Sequence, residues 1–296
     1  MEKQHISIDP GVSIGKVRLK VTELERSIRY YRDILGFQVL SRTDGEAILG
    51  AADAEPLVEL EERPDAASVD RRSAAGLYHF AVLMPDRRSL GLVLRRMSEA
   101  GLHIGQGDHG VSEALYITDP DGNGIEIYRD RPRSEWKYDL GGNVKMGSDP
   151  VDVRGLLELA EGHEWRGLPA GTIIGHIHFH VADLQTSYNF YGGLMGFDMA
   201  LDASQQMGAL FISAGGYHHH IGLNIWAGQG ARHPKENSVG LRYGTILFPS
   251  DEARGITAER LREGGVEVRQ VEGDLEVTDP SGVTLRLSLK QAGSVV

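Results

Sequence analysis

Cysteine is missing altogether from the 296 residues. Its absence excludes a disulfide framework, a thiolate-held zinc, an iron–sulfur cluster and a cysteine nucleophile. Any metal has to be held by His nitrogens and carboxylate oxygens. Positive charge is scarce: 31 Lys and Arg face 42 Asp and Glu, a formal net charge of −11. That argues against a broad basic surface, so neither nucleic acid nor an anionic membrane is an expected partner. No apolar run approaches the ~18 residues of a membrane span. The opening Met1, Glu2, Lys3, Gln4 and His5 lack the apolar core of a secretory leader, and a cytoplasmic location is expected. The 38 glycines contain neither a G-x-G-x-x-G that opens a helix nor a G-x-x-x-x-G-K-[ST] loop. A hydrophobic fraction of 41% supports packed cores, and the length suggests about two domains.

Histidine, by contrast, is plentiful. Half of the 12 lie between positions 176 and 220: His176, His178, His180, His218, His219 and His220. Surface decoration is the bland reading of such a cluster, and a metal site is the sharp one.

An internal repeat organises the chain. Lys16 to Leu24, then Tyr30-Tyr31 and Leu35-Gly36-Phe37, align without a gap on His176 to Leu184, Phe190-Tyr191 and Met195-Gly196-Phe197. The offset is 160 residues throughout. Asp119-Pro120-Asp121-Gly122 and Asp279-Pro280-Ser281-Gly282 repeat at the same offset. Such self-similarity marks a duplicated unit. Each half divides again. Residues 16–21 alternate polar and apolar, the period of a half-buried strand. Residues 23–35 carry Leu24, Ile28, Tyr31 and Leu35 at helical spacing. Thr22 or Glu23 is placed to cap that helix, and Gly36 to end it. Strands are expected at 37–41, 46–50 and 57–61. The order β-α-β-β-β recurs three times more, including strands at 77–84, 103–105, 114–118 and 124–129 and a third module closing at 219–226. The expected fold is α+β, with an N-terminal domain at 1–130, a linker with a short helix at 131–172 and a C-terminal domain at 173–296.

Four such modules resemble the vicinal oxygen chelate superfamily, which includes glyoxalase I, extradiol dioxygenases and bleomycin-binding proteins. The resemblance rests on the opening x-V-x-L-x-V strand, the aromatic-Tyr-x-x-x-L-G-F helix end and the closing D-P-D-G-N-G-I-E strand. It covers nearly the whole chain outside the linker. It implies modules paired into two open barrels. Gly216 to Asn224 and Asp108 to Tyr116 are most similar to two-barrel bacterial catechol 2,3-dioxygenases.

In that family metal ligands sit at the start of a module's first strand and within its last. The first-strand positions hold Lys16, His79, His176 and Tyr243, and the last-strand positions hold Glu59, Glu126, Gly222 and Arg286. Only the second and third modules together supply two His and a carboxylate. The resemblance therefore implies a metal held by His79, His176 and Glu126, a pairing of modules 2 with 3 and 1 with 4, and one metal per chain. Two imidazoles and a carboxylate on one face suit Fe(II), and Mn(II) accepts the same set. Taken singly, His79 or Glu126 reads more simply as a core His or a surface carboxylate.

Cleaving a catechol also needs a group to take and return a proton. His219 matches the acid–base His of the extradiol enzymes, and Tyr116, ten residues before Glu126, matches the Tyr that bonds a catecholate oxygen. Each has a bland alternative, a solvated strand edge and a half-buried core Tyr. His109 sits near a further active-site His, on an alignment that needs a two-residue gap. His178 and His180 share the strand face of His176, and His218 and His220 fall on the other face from His219. Trp136, Trp165 and Trp226 are either pocket walls or core. His5, His103, His163 and His233 read as surface residues.

Three functions follow from the resemblance. The first is an Fe(II) extradiol dioxygenase taking a catecholic substrate and O2. The second is a glyoxalase-type isomerase or lyase, which usually spends a fourth protein ligand where this chain has Gly222. The third is a non-catalytic aromatic-binding protein, a class that normally lacks the full triad. Sheet edges and the linker leave room for a homo-oligomer.

Overall fold

A computed structural model describes residues 6–70, 73–139 and 144–290. His5 and the rest of 1–5 lie outside the described residues. The first module is β1 (Ser13–Val21), α1 (Leu24–Arg29), β2 (Gln38–Arg42), β3 (Glu46–Gly50) and β4 (Pro56–Glu62). The second is β5 (Gly76–Leu83), α2 (Arg87–Glu99), β6 (Gly105–Asp108), β7 (Ser112–Thr118) and β8 (Gly124–Asp130). Helix α3 (Val153–Ala160) lies in the connection to the third module. That module is β9 (Ile173–His180), α4 (Leu184–Tyr188), β10 (Asp198–Ala203), α5 (Ser204–Met207), β11 (Ala209–Ser213) and β12 (Ile221–Asn224). The fourth is β13 (Gly240–Phe248), α6 (Asp251–Glu263), β14 (Arg269–Val271), β15 (Asp274–Thr278) and β16 (Thr284–Leu289).

The strands form two curled eight-stranded sheets, and the modules are crossed between them. One sheet runs β14-β15-β16-β13-β1-β4-β3-β2 and joins modules 1 and 4; the other runs β10-β11-β12-β9-β5-β8-β7-β6 and joins modules 2 and 3. The seams are antiparallel, β1 on β13 and β5 on β9. This is the α+β, two-half-barrel arrangement of the vicinal oxygen chelate fold. The pairing is the one that the distribution of ligand-type residues among the modules requires.

Alternation along the strands explains the layering. Val17 and Leu19 of β1, Phe80 and Val82 of β5 and Ile177 and Phe179 of β9 are buried together in one apolar core that runs between the sheets and under the helices. The alternate residues, Lys16, Arg18 and Lys20 on β1 and His176, His178 and His180 on β9, fall on the opposite, concave faces. No helix among the described residues is long and apolar enough to cross a membrane.

The repeated motifs are structural clamps. Helices α1 and α4 each continue as a wider π-helical turn, Tyr30–Ile34 and Asn189–Met195. The first π-turn carries Tyr31 to Asp119 and the second carries Tyr191 to Asp279, each hydroxyl donating to a carboxylate oxygen at 3.0 Å. Each carboxylate also accepts backbone N–H bonds within its own turn, from Asp121 and Asn123 in one and Ser281 and Val283 in the other. The aromatic-Tyr and D-P-x-G motifs thus tie module 1 to module 2 and module 3 to module 4. Gly36, at φ +80°, makes the left-handed turn expected after the first helix. Glu23 stands at that helix's N-cap without a capping bond, because the Thr22 hydroxyl is spent on Asp121 at 2.6 Å.

Several boundaries differ from the periodicity. The strand expected at 103–105 starts only at Gly105, since His103 is exposed in the turn after α2. The strand expected at 219–226 is β12 alone. The preceding Gly215 and Gly216 take left-handed backbone, at φ +59° and +68°, so His218, His219 and His220 lie in a turn and do not alternate.

Candidate metal centre

Three side chains meet on the concave face of the β10–β6 sheet. His79 comes from β5, Glu126 from β8 and His176 from β9. The His79 and His176 Nε2 atoms lie 3.0 and 3.1 Å from the same oxygen, Glu126 Oε2. One ligand atom from each falls within 4.8 Å of the others, and all three residues are buried. Among the described residues this is the group of His and carboxylate side chains able to hold a metal ion. The donors are in the state a cation needs. Burial would raise the Glu126 carboxyl, but the facing His176 and His79 hold it well below the ordinary range, so it is ionised. Burial lowers the His176 imidazole despite the adjacent carboxylate, so it is neutral. His79 Nε2 is buried with no hydrogen bond of its own, although it faces Glu126. An orphaned lone pair of this kind is what a cation between the three would satisfy.

The other sheet fills the corresponding positions with a different solution. Lys16 Nζ lies 2.5 Å from Glu59, the Tyr243 hydroxyl donates to Glu59 at 2.8 Å and Arg286 stacks on the Tyr243 ring at 4.3 Å. Arg18 adds a bond to Glu61 at 2.9 Å. An ammonium neutralises the carboxylate there, and no imidazole is present to bind a transition metal.

Around the triad the histidines divide by role. The His219 ring lies 4.1 Å from that of His176, centroid to centroid. His219 Nδ1 is 2.8 Å from His218 Nδ1, and His218 Nε2 is 2.9 Å from Asp130 Oδ1. A carboxylate only accepts, so His218 carries its proton on Nε2 and accepts from His219 Nδ1–H. His219 Nε2 is left with a free lone pair. Burial and the neighbouring His176 keep His219 well below the usual His range, hence neutral. The Tyr217 hydroxyl donates to the second Asp130 oxygen at 2.9 Å and meets the Tyr128 hydroxyl at 2.8 Å. His220 is structural: its Nδ1 accepts from Ala214 N–H at 3.1 Å, and burial pushes its pKa down to about 3.

Tyr116 pairs across the sheet with Glu126, β7 against β8. Its hydroxyl is 2.7 Å from His109 Nε2, and His109 Nδ1 is 2.7 Å from the Gly147 carbonyl. The carbonyl accepts from Nδ1–H, so His109 Nε2 accepts the hydrogen bond that the Tyr116 hydroxyl donates. Burial and the Glu126 charge raise the Tyr116 phenol well above its ordinary range, so it stays protonated. His109, on the loop after β6, is thereby joined to the site through Tyr116.

His178 and His180 form a second line on β9. Asn224 bridges them, donating to His178 Nε2 at 3.0 Å and accepting from His180 Nδ1 at 2.6 Å. The His178 ring covers Gly222: a Cβ there would lie 2.7 Å from Cγ of the ring. Only glycine allows that approach, so position 222 is covered by an imidazole whose Nε2 is engaged by Asn224. Two of the three tryptophans meet this wall, Trp226 against Tyr78 and His178 and Trp136 against Tyr217 and His218. Trp165 packs beneath Gly36 instead. His103, His163 and His233 are exposed as expected.

Sequence reasoning missed Tyr78, Tyr217, Asp130 and Asn224. Tyr78 reaches the cavity beside His79 through an irregularity in the β5–β9 register between Leu77 and His79, which no alternation reveals. Asp130 at the end of β8 reads as a surface residue until the fold brings the 215–220 turn against it. A cavity of about 460 Å³ lies away from the triad, between the two sheets.

Residues 13–127 and 173–287 each match the family model of the Glyoxalase/Bleomycin resistance protein/Dioxygenase superfamily. The chain is 49% identical over 274 residues to the Catechol-2,3-dioxygenase of Bacillus subtilis (strain 168), covering 93% of this chain and 96% of the relative. A crystallised protein from Bacillus subtilis subsp. subtilis str. 168 superposes at a TM-score of 0.67 and 10% identity, over 97% of this chain and 87% of its own. Glyoxalase I from Zea mays superposes at 0.54 and 17% identity, over 94% and 92%. The last two are likenesses of fold.

Proposed function

This chain belongs to the glyoxalase/bleomycin resistance protein/dioxygenase superfamily, and we propose that it is an Fe(II)-dependent extradiol dioxygenase that opens a catechol-like ring with O2. The observation that carries this reading is the convergence of His79 and His176 Nε2 on Glu126 Oε2, with His219 and Tyr116 beside them. The 49% identity to a catechol-2,3-dioxygenase supports it. Bound between those three residues, Fe(II) would supply the redox chemistry that lets O2 react with an aromatic ring.

The chain's own residues do the rest. His219 Nε2, with its lone pair free, takes the proton of a catechol hydroxyl brought beside His176. Asp130 and His218 hold His219 in that tautomer and orientation. Tyr116 presents a phenol oxygen beside Glu126, oriented by His109, to accept a hydrogen bond from a catechol hydroxyl. Tyr78 and Trp226 supply aromatic ring faces beside His178, and Phe211 packs between His178 and His219. A glyoxalase-type isomerisation is disfavoured because position 222 offers no fourth ligand and His178 occupies its space.

The test is anaerobic reconstitution with Fe(II), then O2 and a panel of substituted catechols followed by the yellow absorbance of the ring-opened semialdehyde. His79→Ala and His176→Ala should each lose the metal, and Tyr243→Ala should retain it. Failure with every catechol, together with hemithioacetal isomerisation in the Zn(II) or Ni(II) form, would sink the dioxygenase reading.

A further inference from the structure

The cavity of about 460 Å³ sits where the ends of β1 and β9 meet the starts of β5 and β13. Its lining follows the internal repeat. Lys20 faces its counterpart His180, Leu77 its counterpart Leu241, and Gly122 its counterpart Gly282. The pairing is symmetric in backbone and unequal in charge. Lys20 and Arg242 occupy the positions that the metal-bearing half gives to His180 and Tyr78, and Arg63 joins them at the end of β4.

Three cations therefore line one concavity of a chain with a net charge of −11, and Arg63 among them is already paired with Glu61. The nearby acids are already engaged or turned outward. Glu61 is held by Arg18 at 2.9 Å and by Arg63. Asp121 is held by Arg26 at 2.7 Å and by Thr22 at 2.6 Å. Glu236 is exposed, and it offers Lys20 its backbone carbonyl at 2.9 Å. Among the described residues no carboxylate makes an ion pair with Lys20 or Arg242. Burial and the neighbouring Arg242 also lower the Lys20 ammonium from its ordinary range, which an incoming anion would reverse. Cations in a concavity focus their field on whatever enters it. The remaining wall is mixed, with Leu77, Val239 and Leu241 beside Asn123, Asn237 and Thr284, and the volume is that of a small-molecule site.

We propose that this cavity binds a small organic anion, a carboxylate or phosphate monoester, with Lys20 and Arg242 receiving the charge. It is separate from the metal triad and does not depend on the dioxygenase reading.

Calorimetric titration of the full chain with phenyl phosphate, benzoate and uncharged benzyl alcohol tests it. Saturable one-to-one binding of at least one anion, without binding of the alcohol, is expected. Which of the two anions binds tighter identifies the headgroup. Arg242→Ala, an exposed position that the fold tolerates, and Lys20→Met should each raise Kd at least tenfold, while His176→Ala leaves it unchanged. Added NaCl should weaken binding. Unchanged affinity in Arg242→Ala and Lys20→Met, loss of binding in His176→Ala alone, or no saturation of either anion below ~10 mM would overturn the proposal.

Discussion

Replacing Asp130 by Ala removes the carboxylate that fixes the His218–His219 pair without touching the triad. In the native protein Asp130 accepts from His218 Nε2 and from the Tyr217 hydroxyl, both at 2.9 Å. A hydrogen bond to a charged group contributes roughly 1.5–3 kcal/mol. That energy is what favours the His218 tautomer with a bare Nδ1, and through it the His219 tautomer with a bare Nε2. Without it the opposite tautomer, with His219 protonated on Nε2 and unable to act as a base, becomes comparably populated. Rotation of the unanchored rings adds to the loss. Tautomer mixing by itself only about halves kcat. The Asp130 anion also stabilises the positive charge that develops on the His219–His218 pair as the proton is taken. Losing that roughly 1.5–3 kcal/mol, at 1.36 kcal/mol per tenfold, should lower kcat about tenfold to a hundredfold. KM and iron content should stay near wild type, because Asp130 contacts neither the catechol site nor a ligand. Asp130→Asn keeps an oxygen for His218 but loses the charge, so its kcat should lie between the two. Nitrogen-15 spectra of the histidine rings in metal-free protein give a reading independent of turnover. His218 should carry its proton on Nε2 in the native chain and become mixed in Asp130→Ala. Wild-type kcat in Asp130→Ala would refute the relay, and a parallel loss of kcat and iron would reassign Asp130 to a purely structural role.

Two further substitutions probe the packing around the site and the repeat clamp. Gly222→Ala places a Cβ 2.7 Å from the His178 ring, whose centroid is 5.1 Å from that of His79. Overpacking of this kind costs roughly 1–3 kcal/mol, so thermal melting should show Tm lowered by roughly 2–8 °C, and metal titration should show weaker binding. An unchanged Tm and metal affinity would show that the ring yields freely. Asp279 is the buried carboxylate of the second clamp, and burial raises its pKa from 3.8 to about 6. The folded chain thus keeps a proton that the unfolded chain releases. The stabilisation, about 3 kcal/mol by linkage, is fully present below pH 3.8 and is lost as pH rises through about 6. Urea titrations at several pH values should show wild type losing that much relative to Asp279→Asn across this window, and parallel curves would contradict it.

The sequence by itself determined the repeat and the module order; the ligand positions that the family resemblance implies then pointed to the ligand-type residues and to the crossed pairing of modules. These are properties of period and position. Alternation places His176, His178 and His180 on one face of a strand whatever the surroundings. Only modules 2 and 3 hold two His and a carboxylate at matching positions, so no other pairing completes a triad. The D-P-x-G and aromatic-Tyr motifs were equally visible, but their purpose was not. Tyr31 and Asp119 are 88 residues apart, and no local pattern links them.

Tertiary structure alone decided the rest, because those features depend on contacts between segments without a shared period. The turn at 215–220 removes His219 from the strand that alternation assigned to it and sets it against His176, with His218 between it and Asp130. A register irregularity in β5 brings Tyr78 beside His79. Gly222, an empty ligand position on paper, is empty because the His178 ring needs its space. The absence of cysteine established that nitrogen and oxygen would hold any metal. Which histidines converge on Glu126, and which are braced behind them, was decided by the packing of two sheets whose apolar faces leave the imidazoles on the inside of a barrel.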